Sequence, residues 1–191
     1  MRIMLFGGCF DPPHIGHQTI ARAVLEADLA DAIWFVPCGS HPFQRNLSSA
    51  QHRLAMLALL CENGIEICED EVRHPTPSYS LDTLRRLTAT YPAHAFSWLM
   101  GSDQLPAFHR WHEYDTLVQE FPVYVYPRED FPFDPIYPGM HALRGMDEIA
   151  VSSTMVRRRL ERAESIDDLV PPGVAAYIRQ HHLYESRIAL T

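Results

Sequence analysis

A doubly wound α/β domain built on a parallel sheet is the fold this sequence predicts, on three observations. Short apolar runs alternate with segments of helical periodicity, and single helices separate consecutive strands. No internal repeat, low-complexity tract or long polar linker breaks the pattern. Strands joined by one helix each must run parallel, through right-handed crossovers.

The elements follow in order. Arg2–Phe6 reads as a strand, and the Pro12-Pro13 pair marks the start of a helix over His14–Ala27. Ala32–Val36 is a second strand, where Trp34 and Phe35 suit a buried pleat. Ala50–Glu62 reads as a helix with Leu54, Leu57, Ala58 and Cys61 on one face, and Ile65–Cys68 as a third strand. Ser80–Tyr91 is helical, with Leu81, Leu84 and Leu87 in phase. Phe96–Met100 is a fourth strand, Leu105–Gln119 is helical, and Pro122–Tyr126 is a fifth strand. Helices are expected near Ser153–Ala163 and Gly173–His182. The expectation is therefore a sheet of five or six strands with helices on both faces and a small C-terminal helical part over 152–191. At 191 residues it makes one domain, 1–191. The Pro-rich stretch Pro127–Asp147 is long for a structureless connection, so it is expected to be a mobile lid or partly disordered.

Composition excludes several functions. Apolar residues make up 47% and charged residues 21%, a globular balance that needs no disulfide staples. With 24 acidic against 16 basic residues the net charge is −8, which disfavours a broad nucleic-acid surface and requires any anion to be bound locally. All 16 basic residues are Arg, so a Schiff-base, P-loop or general-base lysine is impossible. Phosphates must be met by Arg forks, His and backbone N–H groups. The cysteines Cys9, Cys38, Cys61 and Cys68 lack the spacing of a zinc site. No signal-like segment is evident, and no apolar run approaches the ~20 residues of a membrane span. A cytoplasmic protein with free thiols and no membrane partner is expected.

In open α/β sheets ligands sit beyond the carboxyl ends of the strands, where strand order reverses. The loops after the first and fourth strands are the first candidates. Gly7-Gly8-Cys9-Phe10-Asp11-Pro12-Pro13-His14-Ile15-Gly16-His17 follows the first strand and opens the first helix. Paired glycines let backbone approach a ligand and expose N–H groups. His14 and His17, three apart, share a face at a helix N-terminus, where orphan donors and the dipole favour anions. Gly16 between them leaves room for a large group. Imidazoles beside a polyphosphate are expected to be at least partly protonated.

His14-Ile15-Gly16-His17 is the HIGH sequence of the nucleotidylyltransferase superfamily, and Leu5–His17 resembles the start of bacterial nicotinate-nucleotide adenylyltransferases. The resemblance continues through Gln51–Leu57, Pro77–Leu84, Gly101-Ser102-Asp103 with Phe108 and Trp111, Ser152-Ser153-Thr154 with Arg157, and Leu169–Tyr184. It implies a Rossmann-like fold and transfer of AMP from ATP to nicotinate mononucleotide, giving deamido-NAD and pyrophosphate. Mg²⁺ is expected to be held mainly by the ATP phosphates, with no dedicated protein metal site. By the same resemblance His14, His17 and Arg157 are catalytic. Gly7, Gly8, Phe10, Gly16, Gly101, Asp103, Ser152, Ser153 and Thr154 contact ATP. Ser80, Trp111, His112, Arg45 and Arg128 face the acceptor.

The residues themselves leave alternatives beside these roles. Ser152 is a good N-cap, and Arg157 over a positive helix end is uncomfortable unless an anion binds there. Arg158, Arg159 and Arg162 read as solvated charges. Asp103 is equally an N-cap for the helix near Leu105. Trp111 reads on periodicity alone as a core aromatic, although its flat π face also suits an electron-poor ring. Arg128 is either an anion contact or a surface residue. After the second strand the family commonly has Pro-Pro-His and then a basic residue, where this chain has His41-Pro42-Phe43-Gln44-Arg45, so Arg45 must replace that charge. Cys9 stands where a small hydroxyl residue is usual, and is either an inert buried thiol or one open to oxidation beside the phosphate site. Nicotinamide mononucleotide and phosphopantetheine are the competing acceptors, and a nucleotide sensor without turnover is the competing class.

Overall fold

Ile3 and Leu5 face one side of the first strand and Met4 and Phe6 the other, and all four are buried. A strand apolar on both faces belongs at the centre of a covered parallel sheet. The computed structural model describes residues 1–39, 47–74 and 77–184, and places that strand, β1 (Arg2–Gly8), between two neighbours. The others are β2 (Ala32–Pro37), β3 (Ile65–Ile67), β4 (Ala95–Gly101), β5 (Val123–Tyr126) and β6 (Met140–Ala142). All five pairings are parallel, in the order β3-β2-β1-β4-β5-β6. Strand order reverses between β1 and β4, which fixes the switch point there.

Two apolar cores flank the sheet. One joins Met4, Phe6, Ile33 and Phe35 to helices α1 (Ile15–Glu26), α2 (Ala50–Ala58), α6 (Ser153–Glu161) and α7 (Pro172–Gln180), through Ile20, Met56, Val156 and Val174. The other joins Ile3, Leu5 and Trp98 to α4 (Ser80–Thr90) and α5 (Tyr114–Glu120), through Leu81, Leu84 and Leu117. The C-terminal helices thus share the first core rather than forming an appendage.

Four expectations are corrected. The single helix over Leu105–Gln119 is two elements, a 3₁₀ helix Ser102–Arg110 containing Pro106 and then α5, separated by extended Trp111 and by Glu113 in the left-handed region at φ 46°. Proline has no N–H to continue an α-helical ladder. The second helix ends at Ala58, four residues early. A short α3 (Asp70–Arg73) follows β3. The Pro-rich stretch is neither structureless nor detached: it contributes β6, and the Tyr137 hydroxyl donates to Leu105 O at 3.4 Å.

One polar group inside the fold carries unusual weight. Arg53 on α2 is only 2% exposed, and its guanidinium donates to Ser48 O (3.1 Å), Cys9 O (3.0 Å) and Cys38 O (2.8 Å). It fastens the loops after β1 and β2 to one helix. Arg53→Met should lower unfolding free energy by roughly 2–4 kcal/mol, because three carbonyls lose a charged donor. Urea denaturation with an unchanged slope checks this. Arg53→Lys should recover only part, since a point charge cannot fork to three acceptors.

Candidate active site

The ends of β1 and β4 open into a cleft of about 340 Å³. Gly7, Gly8, Phe10, His14 and His17 line it from the β1 loop, Gly101 and Asp103 from the end of β4, and Ser152, Ser153, Thr154 and Arg157 from α6. Ser80, Trp111, His112 and Arg128 complete it. Fifteen of the site residues singled out by sequence therefore share one cleft, although they come from segments 7–17, 80, 101–112, 128 and 152–157. Gly16 lies outside it, and Arg45 and Gln44 fall outside the described residues.

The glycines also make room for neighbouring side chains. A Cβ on Gly16 would collide with the Ile149 side chain and crowd the His14 ring, so the missing side chain makes room for protein rather than ligand. A Cβ on Gly7 would enter the Trp98 ring, and one on Gly8 would come within 3.3 Å of the Phe10 ring. Phe10 adopts φ 50°, a left-handed conformation uncommon outside glycine. That turn buries its ring edge-on to Phe6, Phe35 and His17, the last at 4.8 Å.

His14 and His17 stack, with ring centroids 3.7 Å apart and planes 25° apart. The His14 backbone N–H donates to His17 Nδ1 at 3.1 Å, which leaves the His17 proton on Nε2. His14 Nδ1 is buried without a hydrogen-bond partner in the protein. Burial, the neighbouring His17 and the Arg128 charge push His14 well below its ordinary value of 6.5. Burial and Arg128 push His17 down to about 3. Both shifts favour neutral rings while the cleft holds no polyphosphate. Burial there disfavours an imidazolium, and the Arg128 charge adds to that.

Two helix N-termini converge on this end of the cleft, α1 and α6, and neither has an acidic residue in its first turn. Ser152 caps α6, accepting from Met155 N–H at 3.2 Å. Ser153 Oγ donates to Pro12 O at 2.8 Å, and Arg157 donates to Asp11 O at 2.5 Å and Thr154 Oγ1 at 3.2 Å. The Arg157 fork is thus spent partly on the β1 loop, locking the two N-termini side by side. Orphan N–H donors and aligned dipoles make this end an anion site.

Arg128 is an interior residue, not a surface one, with a side chain 12% exposed. It donates to Val151 O at 2.6 Å and sits 3.7 Å from Asp103 Oδ1. Asp103 does not cap a helix, because Gly101 holds the cap position and Asp103 lies inside the 3₁₀ turn. At the opposite end Trp111 packs on Phe108 at 5.2 Å while one side faces the cleft, and His112 stacks on Tyr79 at 4.5 Å. Among the described residues no group of three or more His, Cys, Asp or Glu is placed to cage a metal ion.

The cytidylyltransferase-like family pattern matches residues 5–159 of the chain. A protein of Oceanobacillus iheyensis named "Probable nicotinate-nucleotide adenylyltransferase" is 34% identical over 185 residues, covering 95% of this chain and 96% of that one. A Salinibacter ruber protein of the same name is 35% identical over 191 residues, covering 96% and 98%. This chain belongs to the nicotinate-nucleotide adenylyltransferase family. The fold agrees: Plasmodium falciparum nicotinic acid mononucleotide adenylyltransferase complexed with NaAD superposes with a TM-score of 0.84 at 22% identity, covering 96% of this chain and 97% of that one.

Residues that motif reading missed also shape the adenylyltransferase cleft. Asp11 is 3% exposed and accepts from Ser48 N–H (3.1 Å) and the Tyr184 hydroxyl (2.5 Å). Glu71 is buried at the rim, accepts from Thr83 Oγ1 at 2.8 Å, and has its carboxyl pushed up by burial. No spacing rule announces either one, because their partners are distant in sequence.

The imidazole signals of His14 and His17 should not titrate between pH 8 and 5 in the free enzyme, which ring-carbon NMR checks. Below pH 6.5 the unfolded chain takes up protons that the native His17 refuses, so stability declines as pH falls toward 3. His17→Gln should remove about 2 kcal/mol of that decline at pH 5, read from denaturation midpoints.

Proposed function

We propose that this adenylyltransferase transfers AMP from ATP to nicotinate mononucleotide, releasing deamido-NAD and pyrophosphate. The observation that carries the reading is the pairing of two acid-free helix N-termini at one end of the cleft with an aromatic wall at the other. The first suits a polyphosphate and the second a flat pyridine ring. The names of the relatives and the nicotinate adenine dinucleotide bound by the Plasmodium enzyme support the same substrates.

The acceptor brings its own nucleophile, a phosphate oxygen that attacks the ATP α-phosphorus in line, so catalysis is positioning and electrostatics. His17 Nε2–H donates to the triphosphate, and the unpartnered His14 ring edge meets it alongside. Arg157 and Thr154 stabilise the leaving pyrophosphate. Gly101 and Asp103 contact the nucleoside, with Gly8 and Phe10 lining the path of the phosphates. Gly16 serves from behind by letting Ile149 brace the histidines. Trp111 stacks on the pyridine ring, while Ser80 and the backbone around His112 hold its substituent. Arg128 acts through Asp103, whose carboxylate it orients. The donor set fits Mg²⁺ carried in on ATP and held chiefly by phosphate oxygens; bound there, it neutralises phosphate charge. The chain works as a single domain, because α6 and α7 share the core of the sheet and α6 completes the site. The four free cysteines and the absence, among the described residues, of a helix able to cross a membrane support action in the cytoplasm.

Pyrophosphate release from ATP and Mg²⁺, measured in parallel with nicotinate mononucleotide, nicotinamide mononucleotide and phosphopantetheine, tests the reading. A strong preference for the nicotinate acceptor is expected, and tight ATP binding without release would indicate a sensor instead. His17→Ala should lower kcat by roughly 10²–10³ with ATP affinity little changed, the cost of one preorganised donor.

A further inference from the structure

The β1–β2 pairing ends in register at Gly8 and Pro37, and the next residue on each strand is a cysteine. Cys38 N–H still donates to Gly8 O at 2.9 Å, so the parallel ladder extends to Cys9 and Cys38. Neighbouring parallel strands lie roughly 4.8 Å apart, inside the Cα separation that a disulfide spans without backbone movement. The two sulfurs already face each other at 3.3 Å, and both cysteines are free. Both also line the cleft, which gives small solutes a route to Cys38 although that residue is only 4% exposed. We propose that Cys9 and Cys38 form a redox-active dithiol in the floor of the nucleotide cleft, closed to a disulfide by a peroxide with loss of adenylyl transfer and reopened by a dithiol.

The surroundings divide the labour between the sulfurs. Arg53 Nη1 lies 3.9 Å from Cys38 Sγ. The hydrogen bond shared with Cys9 and the Arg53 charge hold the Cys38 thiol below its ordinary range against the opposing effect of burial. Cys9, the partner that keeps its proton, is pushed up. Cys38 is therefore the attacking thiolate. Its sulfur takes one oxygen of hydrogen peroxide, the O–O bond breaks, and the departing hydroxide leaves as water after protonation. Cys9 then attacks the Cys38 sulfenic acid through its sulfur and gives up its proton, and the hydroxyl group departs as a second water. Two thiols lose two electrons in total, and one peroxide gains them. The closed bond requires about 2.05 Å between sulfurs, so the side chains draw together by more than 1 Å. Cys9 opens the loop that carries Phe10, Asp11 and His14, and its carbonyl is one of the three that Arg53 holds. Closure needs only side-chain movement at the sulfurs, and any small shift it passes through the Cys9 backbone reaches a site where a misplacement of about 1 Å costs up to ~10²-fold in rate.

Cys61 and Cys68 provide internal controls, since burial pushes both thiols up and neither has a sulfur partner among the described residues. The reduced full-length enzyme is treated with hydrogen peroxide, capped with N-ethylmaleimide and digested without reductant. The expected product joins the Cys9 and Cys38 peptides with loss of two hydrogens, disappears with dithiothreitol, and leaves Cys61 and Cys68 alkylated. Cys9→Ala should trap the Cys38 sulfenic acid, which dimedone labels. In parallel kcat/KM should fall tenfold or more on oxidation and return with dithiothreitol. Pairing through Cys61 or Cys68, overoxidation of Cys38 without a cross-link, or a cross-link that leaves kcat/KM unchanged would each overturn the proposal. The rate measurement rests on the adenylyl-transfer reading and is run on enzyme already active when reduced. The peptide masses stand without it, so the two failures are distinguishable.

Discussion

The geometry of the cleft depends on a single buried cation. Arg53 reaches through the core of the fold to three carbonyls, two of them immediately beyond the parallel pair β1 and β2. Those strand ends have no further ladder partners of their own, and buried carbonyls left without donors are costly. One guanidinium, with donors fixed in a plane, satisfies the strand ends and the turn before α2 together. From that fastening the β1 loop runs to Phe10, Asp11 and the stacked histidines, whose placement is therefore inherited from a helix on the far side of β2. A lysine-free chain makes this arrangement natural, since every cation it owns is a fork.

Charge in the site is organised by withholding rather than by accumulation. The molecule is acidic overall, yet the two helix starts facing the cleft carry no carboxylate in their first turns. Arg128 and Arg157 are each tied to backbone oxygen, which holds them still, and Asp103 approaches Arg128 to 3.7 Å. Burial disfavours charge on both histidines. The free cleft thus has its donors fixed before any ligand arrives.

The parallel doubly wound sheet, the loops at its switch point and most of the cleft were legible in the sequence. A helix N-terminus carrying His14 and His17 and a capped Ser-Ser-Thr start each announce themselves within a few residues. What escaped was anything decided by long-range contact. Gly16 looked like space for a ligand because the sequence does not show Ile149 filling it. Asp103 looked like a cap because Pro106 gave no sign that the turn would be 3₁₀ with the cap at Gly101. Arg128 looked half like surface because its acceptor, Val151 O, lies 23 residues away. The strand β6 was hidden inside a Pro-rich stretch, being three residues long and supported by a single neighbour. Arg53 and Asp11 lie inside recognised segments but were given no role, for their partners are backbone atoms and a distant tyrosine.

That tyrosine ties the order of synthesis to the onset of chemistry. Asp11 is made well before the Tyr184 hydroxyl whose proton it accepts, and before the Ser153 and Arg157 groups that donate to the Pro12 and Asp11 carbonyls. At roughly 5–20 residues per second, on the order of ten to thirty seconds pass on the ribosome between the two ends of this one hydrogen bond. Through that interval the sheet can assemble from its early strands while the phosphate end of the cleft has only one of its two walls. A nascent chain is thereby kept chemically mute until Tyr184 has been joined to it.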